Sequence, residues 1–367
     1  MNKFKVNYKN LKVFKNEEKR LKKSFNNFLE SGHYLIGAAT KNCEKVIAKK
    51  VDRKYCILVS SGTNAIYLSL KSIGIKKDDE VICPSISWVA TAAAVSFIGA
   101  KPIFVDVNYD QNIDTNKIEK KITKKTKAIL FVNFTGQIAN FEKIKIIAKK
   151  YNLNTIEDAA QSFGAKKGKF SSGNLADLST FSFNPMKVLK GFGELGCILT
   201  DKKSIYKKIR QLRHIGLDEK NSEVLEDVDL NHKPDELQAY LLLDSLKTFN
   251  HEIYKRKNLI NYYKKKLFKV VEWCEHNTNH SSCYDYQILV KNRDKLYTYL
   301  LKSKIEVRIK HPLLMSDQKI FKTNSKELIN SKYIIKHKIS LPLHGRMSFK
   351  DIDYITNKIK SFYKKPI

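Results

Sequence analysis

Short apolar runs alternate with segments of helical spacing through most of the first half of the chain. The runs are Cys56 to Ser60, Glu80 to Cys83, Pro102 to Val107, Ala128 to Val132, Thr155 to Ile156, Leu178 to Phe183 and Cys197 to Thr200. Strands that are apolar at nearly every position are buried on both faces. Seven such runs, mostly with helical segments between them, predict a mainly parallel sheet covered by helices, an α/β fold. Upstream, Leu21, Phe25 and Phe28-Leu29 recur at helical spacing in a charged stretch and predict an arm helix lying on the main body. The glycines of Ser31-Gly32-His33-Tyr34-Leu35-Ile36-Gly37 end it. Downstream, Pro234-Asp235-Glu236 opens a helix, with proline near its start and acids at the positive end of its dipole. Its apolar positions (Leu237, Tyr240, Leu241, Ile253, Ile260, Leu267) continue for about thirty residues, with a bend expected near Asn250. Beyond it, Tyr284, Tyr286, Ile288 and Val290 alternate with other residues, as do Ile305, Val307 and Ile309, which predicts half-buried strands. The division expected is a large domain over residues 1–250, arm helix included, and a smaller C-terminal α/β domain over 251–367. No internal repeat or low-complexity linker is visible.

Composition changes this picture little. The formal net charge of +32 points first to a nucleic-acid partner. Yet only 8 of the 69 basic residues are arginine, the side chain that reads guanine edges and grips phosphate bidentately. The lysines fall in twos and threes along amphipathic segments, such as Lys264-Lys265-Lys266. A compositional bias that also attracts anionic substrates accounts for them, and no dedicated nucleic-acid partner is expected. Six cysteines (Cys43, Cys56, Cys83, Cys197, Cys274, Cys283) form no C-x-x-C pair and have no histidine at metal-ligand spacing. Free, mostly buried thiols in a reducing compartment and no metal site are expected. Met1-Asn2-Lys3-Phe4-Lys5 carries no apolar signal region, and the longest apolar run, Val89 to Ala100, falls short of the roughly 20 residues of a membrane span. The expectation is a soluble cytoplasmic protein.

Four stretches carry candidate chemistry, each at the end of an expected strand. Pro185 stops the run Thr180 to Phe183, and Lys187 follows just past the strand end, where open α/β sheets place their reactive groups. A lysine held in a crevice there offers a neutral amine towards an aldehyde, which points to a Schiff base with pyridoxal phosphate. The plain alternative is one more surface lysine in a lysine-rich chain. Ser60-Ser61-Gly62-Thr63-Asn64-Ala65 joins a strand to a helix, and its glycine and free N–H groups suit a phosphate, although ordinary capping uses the same residues. Trp88, in Pro84-Ser85-Ile86-Ser87-Trp88, is placed either to stack on a flat ring or to fill the core. Asp158 is placed to pair with a ring nitrogen and keep it protonated, or to cap a helix. His33 and Tyr34 either face a ligand or pack a loop.

Read in order, Ser61-Gly62-Thr63-Asn64-Ala65, Pro84-x-x-Ser87-Trp88-Val89-Ala90-Thr91, Glu157-Asp158-Ala159-Ala160-Gln161-Ser162-Phe163-Gly164-Ala165, Phe181-Ser182-Phe183-x-x-x-Lys187 and Asn231-x-x-x-Asp235-Glu236-Leu237-Gln238-Ala239 closely resemble the DegT-type sugar aminotransferases. These are pyridoxal-phosphate enzymes of the aspartate aminotransferase fold, fold type I. The resemblance runs from about Ser31 to Leu341-Pro342-Leu343-His344. It implies that Lys187 bonds to the cofactor and then moves the proton between Cα and the cofactor carbon. Asp158 would hold the pyridinium nitrogen, Gln161 would reach the phenolic oxygen and Trp88 would stack on the ring. Gly62, Thr63 and Ser182 would cradle the phosphate, completed by Asn231 of a second subunit, so a homodimer with shared sites is implied. His33, Tyr34, His311 and His344 are candidate substrate contacts.

Two departures stand out. The loop after the lysine reads Gly193-Glu194-Leu195-Gly196, where the family usually has Gly-acid-Gly-Gly, and Asn231-His232-Lys233-Pro234 has lysine where the family often has arginine. Lysine cannot reproduce a bidentate guanidinium grip. Lys187, in place of histidine, argues against the family's dehydratase branch.

The implied activity moves an amino group from glutamate onto a nucleotide-linked keto sugar, for a surface polysaccharide or glycoconjugate. Members with Asp-Ala-Ala-Gln tend to resemble enzymes aminating C3. A dTDP-linked 3-keto-6-deoxyhexose is the first expectation and a UDP-linked 3-keto sugar the second. The alternatives are amination at C4 of a UDP-, dTDP- or GDP-linked 4-keto sugar, a keto-inositol acceptor, and a catalytically silent relative that binds cofactor or sugar.

Overall fold

The computed structural model describes all residues except 1–3, 219–222, 225–226, 275–276, 322 and 365–367. Each of the seven apolar runs is a strand: β1 Tyr55–Val59, β2 Glu80–Pro84, β3 Lys101–Val105, β4 Thr126–Val132, β5 Asn154–Asp158, β6 Leu178–Ser182 and β7 Gly196–Thr200. They form one sheet in the order β1-β7-β6-β5-β4-β2-β3. Only β7 runs against its neighbours, β1 and β6; the other pairs are parallel. Helices cover both faces, so the strands keep apolar residues on both sides, as in Ile57-Leu58-Val59 and Ala128 through Val132, all buried. The carboxyl ends of β1, β2, β5 and β6 therefore lie along one edge, beside the amino end of β7.

The arm helix α1 (Lys15–Ser31) has no buried residue and ends at Gly32 in the left-handed region, φ 62°. It lies along the long helix, where Arg20 pairs with Asp244 at 3.1 Å and Phe28 meets Tyr240. Helix α2 (Ala38–Val51) has no capping side chain of its own. Its amino end is closed by Glu236, which is buried and accepts N–H bonds from Gly37 at 2.7 Å and Ala39 at 2.6 Å. An acid at a helix amino end meets both the unpaired N–H groups and the dipole. After β1 comes α3 (Gly62–Ser72), and after β2 comes α4 (Ala90–Phe97). The remaining large helices before the long one are α5 (Phe141–Lys150) and α6 (Lys203–Arg213).

The long helix, α7 (Glu236–Leu267), runs for 32 residues without a break at Asn250. Ala239, Leu242 and Phe249 belong to the core around α2, β1, β6 and β7. Leu259, Ile260, Tyr263 and Leu267 belong to a second core, with strands β8 (Glu272–Trp273), β9 (Tyr286–Leu289) and β10 (Lys338–Leu341) and helices α8 (Arg293–Lys302), α9 (Ile329–His337) and α10 (Phe349–Lys364) in the same region of the chain. Val6 also packs into this second core, so the chain's amino-terminal segment crosses to it. The alternation over 305–310 does not make a strand. Ile305 and Val307 are buried as expected, but the segment forms only isolated bridges, Ile305 to Val6 and Arg308 to Ser340. With a partner at single positions on either side, no ladder propagates.

Among the described residues no helix is long and apolar enough to cross a membrane, and no group of three His, Cys, Asp or Glu could hold a metal. All six cysteines are free and buried.

Candidate active site

The four strand ends that carry candidate chemistry meet at one edge of the sheet. Asp158 ends β5 and is buried. Its Oδ2 accepts the Thr91 hydroxyl at 2.9 Å, and its Oδ1 accepts the Ala160 N–H at 3.1 Å. Ser87 lies 2.9 Å beyond Thr91, so residues from the β2–α4 turn orient the acid. Burial raises the Asp158 pKa, against the pull of Ala160, Thr91 and the Lys187 charge. No cationic side chain pairs with this carboxylate directly among the described residues. Gln161, one turn on, is buried, and its Oε1 accepts the Thr135 N–H at 2.8 Å, which leaves the Nε2 group as donor.

At the end of β1, Ser61 caps α3 through an Oγ bond from the Asn64 N–H at 3.1 Å. The first N–H groups of α3, those of Gly62 and Thr63, come before the residues that can bond within the helix. A Cβ on Gly62 would lie 2.6 Å from the Cβ of Ser182, and one on Gly196 would lie 2.5 Å from the Ser61 carbonyl. Both positions need glycine because three chain segments close on one point. Trp88 is 59% exposed, so it is no core tryptophan. Its ring stands 5.6 Å from that of His311, which is 5.7 Å from Phe134. Burial, with Lys338 and Lys310 nearby, pushes the His311 pKa down to about 3, so the ring is neutral at physiological pH.

Lys187 follows a turn closed by its own N–H on the Asn184 carbonyl at 2.9 Å. Its Nζ lies 5.4 Å from the centre of the Tyr284 ring. Lys190, the neighbouring lysine, pairs instead with Glu17 at 3.5 Å. The glycine loop beyond is held by Gln238, whose Oε1 accepts the Phe192 N–H at 3.1 Å. Leu195, one of the two departures, is fully buried among Phe181, Phe183 and Leu199, and its carbonyl accepts the Phe183 N–H at 2.8 Å. The leucine thus fills core space where the family's glycine has no side chain.

The remaining candidates are more scattered. His344 lines a cavity of about 280 Å³ together with Lys9, Lys187, Arg256 and Arg346. It is buried, its Nε2 donates to the Asn7 carbonyl at 3.2 Å, and burial with Arg256 and Lys9 pushes its pKa down to about 4. His33 and Tyr34 are exposed on the turn after α1, Tyr34 against Phe28 at 5.2 Å, and no hydrogen bond or ring contact joins either to the crevice. Asn231 is exposed and its Oδ1 accepts the Lys233 N–H at 3.1 Å. Its chain neighbour His232 accepts the Ser60 N–H at 3.0 Å, but no hydrogen bond joins the Asn231 side chain to Gly62, Thr63 or Ser182.

Sequence reasoning passed over a buried charged group beside Tyr284, the ring that Lys187 faces. Asp285 accepts the Tyr8 hydroxyl at 2.7 Å, the Gln287 amide at 2.8 Å and the Ser340 hydroxyl at 2.9 Å, with Lys310 at 3.5 Å. Burial opposes its charge, but Lys310, Gln287, Lys9 and Tyr8 together hold its pKa down at about 2. Burial likewise raises the Tyr284 phenol, and the charges of Lys310 and Lys187 outweigh it to leave the phenol below its ordinary value.

A sheet edge with a buried acid, a helix amino end, an exposed tryptophan and a lysine past the strand end defines a fold-type-I pyridoxal-phosphate aminotransferase. The DegT/DnrJ/EryC1/StrS aminotransferase family model matches residues 15–360, and the chain belongs to that family, whose aminotransferases depend on pyridoxal phosphate. It is similar to the UDP-2-acetamido-2-deoxy-3-oxo-D-glucuronate aminotransferase of Pseudomonas aeruginosa, with 33% identity over 350 residues, 93% of this chain and 96% of that one. It is also similar to the dTDP-3-amino-3,6-dideoxy-alpha-D-galactopyranose transaminase of Aneurinibacillus thermoaerophilus, with 32% identity over 94% and 96% of the two chains. A solved Bacillus subtilis structure with bound cofactor PMP matches at a TM-score of 0.90 and 30% identity, over 96% of this chain and 83% of that one.

Proposed function

We propose that this protein is a cytoplasmic enzyme that moves an amino group from glutamate to C3 of a nucleotide-linked keto sugar. The observation that carries the reading is the gathering of Lys187, Asp158 and the Gly62–Ser182 contact at one sheet edge. The donor set suits pyridoxal phosphate: a buried carboxylate without a cationic partner for a ring N–H, and free helix N–H groups with a hydroxyl for a phosphate. When bound, that cofactor supplies an electron-withdrawing ring that stabilises the charge left as Cα–H breaks. The chain's own residues do the rest. Asp158, oriented by Thr91 and Ala160, holds the proton on the ring nitrogen. Gly62, Thr63 and Ser182 take the phosphate, Gln161 donates from Nε2, and Trp88 covers the ring. Lys187 moves a proton at Nζ. His311, neutral between Trp88 and Phe134, offers a ring nitrogen to a sugar hydroxyl.

Gln161 supports C3. Its carbonyl is held by Thr135, so its donor has a fixed direction beside the acid. The two relatives named above carry a 3-oxo and a 3-amino sugar in their names. A dTDP-linked 3-keto-6-deoxyhexose is the first acceptor to try and a UDP-linked 3-keto sugar the second; the product would enter a surface polysaccharide. Incubation with glutamate and matched 3-keto and 4-keto nucleotide sugars, followed by NMR of the new C–N bond, tests the assignment. Amination at C3 is expected, and amination at C4 alone contradicts it.

The working unit is a homodimer with shared sites. Phe14, Phe25, Leu29, Tyr34 and Leu35 leave apolar surface exposed along the arm, and Asn231 stands free of its own phosphate turn. Mixed dimers of Asn231→Ala and Lys187→Ala chains are expected to recover activity, since each hybrid keeps one intact composite site. Hybrids that form yet stay inactive contradict the sharing.

A further inference from the structure

Three lysine amino groups surround one buried ring. From the centre of Tyr284, Nζ of Lys310 lies at 4.4 Å, Nζ of Lys9 at 5.3 Å and Nζ of Lys187 at 5.4 Å. Two of the three are held by other groups. Lys9 donates to the carbonyls of Tyr284 at 3.2 Å and Leu343 at 3.1 Å, and Lys310 bonds the Tyr284 hydroxyl at 3.3 Å beside Asp285. Lys187 is different. Among the described residues no carboxylate, carbonyl or hydroxyl hydrogen-bonds its Nζ, which faces the Tyr284 ring, while its charge acts on Asp158.

The ring itself cannot drift. Lys310 fixes its hydroxyl, and Asp285, the next residue, is tied by Tyr8, Gln287 and Ser340. Ser282 on the other side is bonded to the carbonyls of Gly136 and Gln161, the latter at 2.6 Å, which ties this segment to the turn after Asp158.

We infer that Tyr284 is a positioning residue of the reaction: its ring seats the Nζ of Lys187 whenever that lysine is not bonded to the cofactor. The inference rests on the reading of Lys187 given above. With the cofactor bound, Nζ would take the proton that leaves Cα of the amino donor, become an ammonium, and return the same proton to the cofactor carbon. A cation over an aromatic ring is stabilised by the ring's quadrupole, most strongly where water is excluded. The ring therefore favours Lys187 in the state that has just accepted the proton and keeps a flexible side chain within reach for the return.

The test uses the holoenzyme and the apo-protein. Tyr284→Phe keeps the ring face and Tyr284→Leu removes it. With Leu, the single-turnover reaction with glutamate, followed by the visible band, is expected to slow roughly tenfold with little change in KM. In the apo-protein, Lys187 should be modified faster by an amine-directed reagent, read by peptide mass. Phe should stay within about twofold on both readouts. A Phe variant as slow as Leu would assign the effect to the hydroxyl and overturn the inference, as would a Leu variant unchanged in both. If Leu fails to fold, a series of fluorinated phenylalanines at position 284 keeps the volume and weakens the ring face stepwise. The rate should fall with each fluorine, and a flat series overturns the inference. Borohydride labelling of the wild-type enzyme shows separately whether Lys187 is the bonded lysine, so failure of that reading is not mistaken for failure of this one.

Discussion

Lys187→Ala is expected to lose transamination by about 10³–10⁴-fold or more, because the variant lacks both the amine that bonds the cofactor and the group that carries the proton. Among the described residues, the lysines beside it in sequence or around the Tyr284 ring are engaged elsewhere. Lys190 is held by Glu17 at 3.5 Å, Lys310 by Asp285 and the Tyr284 hydroxyl, and Lys9 by two backbone carbonyls. Binding of the cofactor should survive, since the Gly62–Thr63–Ser182 cradle and Asp158 do not involve the lysine. Single-turnover spectra with glutamate separate these two effects. A variant that binds cofactor and still turns over at a tenth of the normal rate would show that the proton moves through another group.

Asp158→Asn is expected to have the next largest effect, and in opposite directions for activity and stability. Activity should fall by about 10²–10³-fold, because a neutral amide does not hold the ring nitrogen in its protonated, electron-withdrawing form. The apo-protein should become more stable at neutral pH. Burial raises the pKa of Asp158 above its ordinary value of 3.8, and its accepted bonds come only from a hydroxyl and an N–H. A carboxyl raised in this way contributes its stability in full below the unfolded value. That contribution is lost as pH rises through the folded one. At pH 7 the apo-protein therefore holds a buried carboxylate at a cost that asparagine removes. Melting curves of the two apo-proteins should differ at pH 7 and converge towards acid. Loss of activity without any gain in apo stability would mean the carboxylate has a cationic partner of its own.

The seven-stranded sheet was legible because its evidence is local. Each of the seven strands is a run of apolar residues ended by a turn signal, and each candidate of the cofactor site except Asn231 lies within a few residues of a strand end. Position past a strand end was enough to bring Asp158, Gly62, Trp88 and Lys187 to one edge. The residues that gather around Lys187 from outside the strand ends were not legible in this way. Tyr284, Lys310 and Tyr8 come from three distant segments, and nothing in the local pattern distinguishes Tyr284 from its neighbour Tyr286, which packs against Tyr263. The alternation over 305–310 predicts a strand because its inward residues are apolar, yet hydrogen-bond partners reach it only at single positions. Glu236 and Gln238, quoted as part of a motif, prove to be fixtures: one caps α2 and the other holds the loop after Lys187.

The most direct test of the central claim is to reduce the cofactor-loaded enzyme with borohydride, digest it and locate the attached cofactor by mass. The account predicts a single labelled site at Lys187, in the segment that begins with Phe183-Asn184-Pro185-Met186. A label on Lys190 or on Lys310 would contradict it.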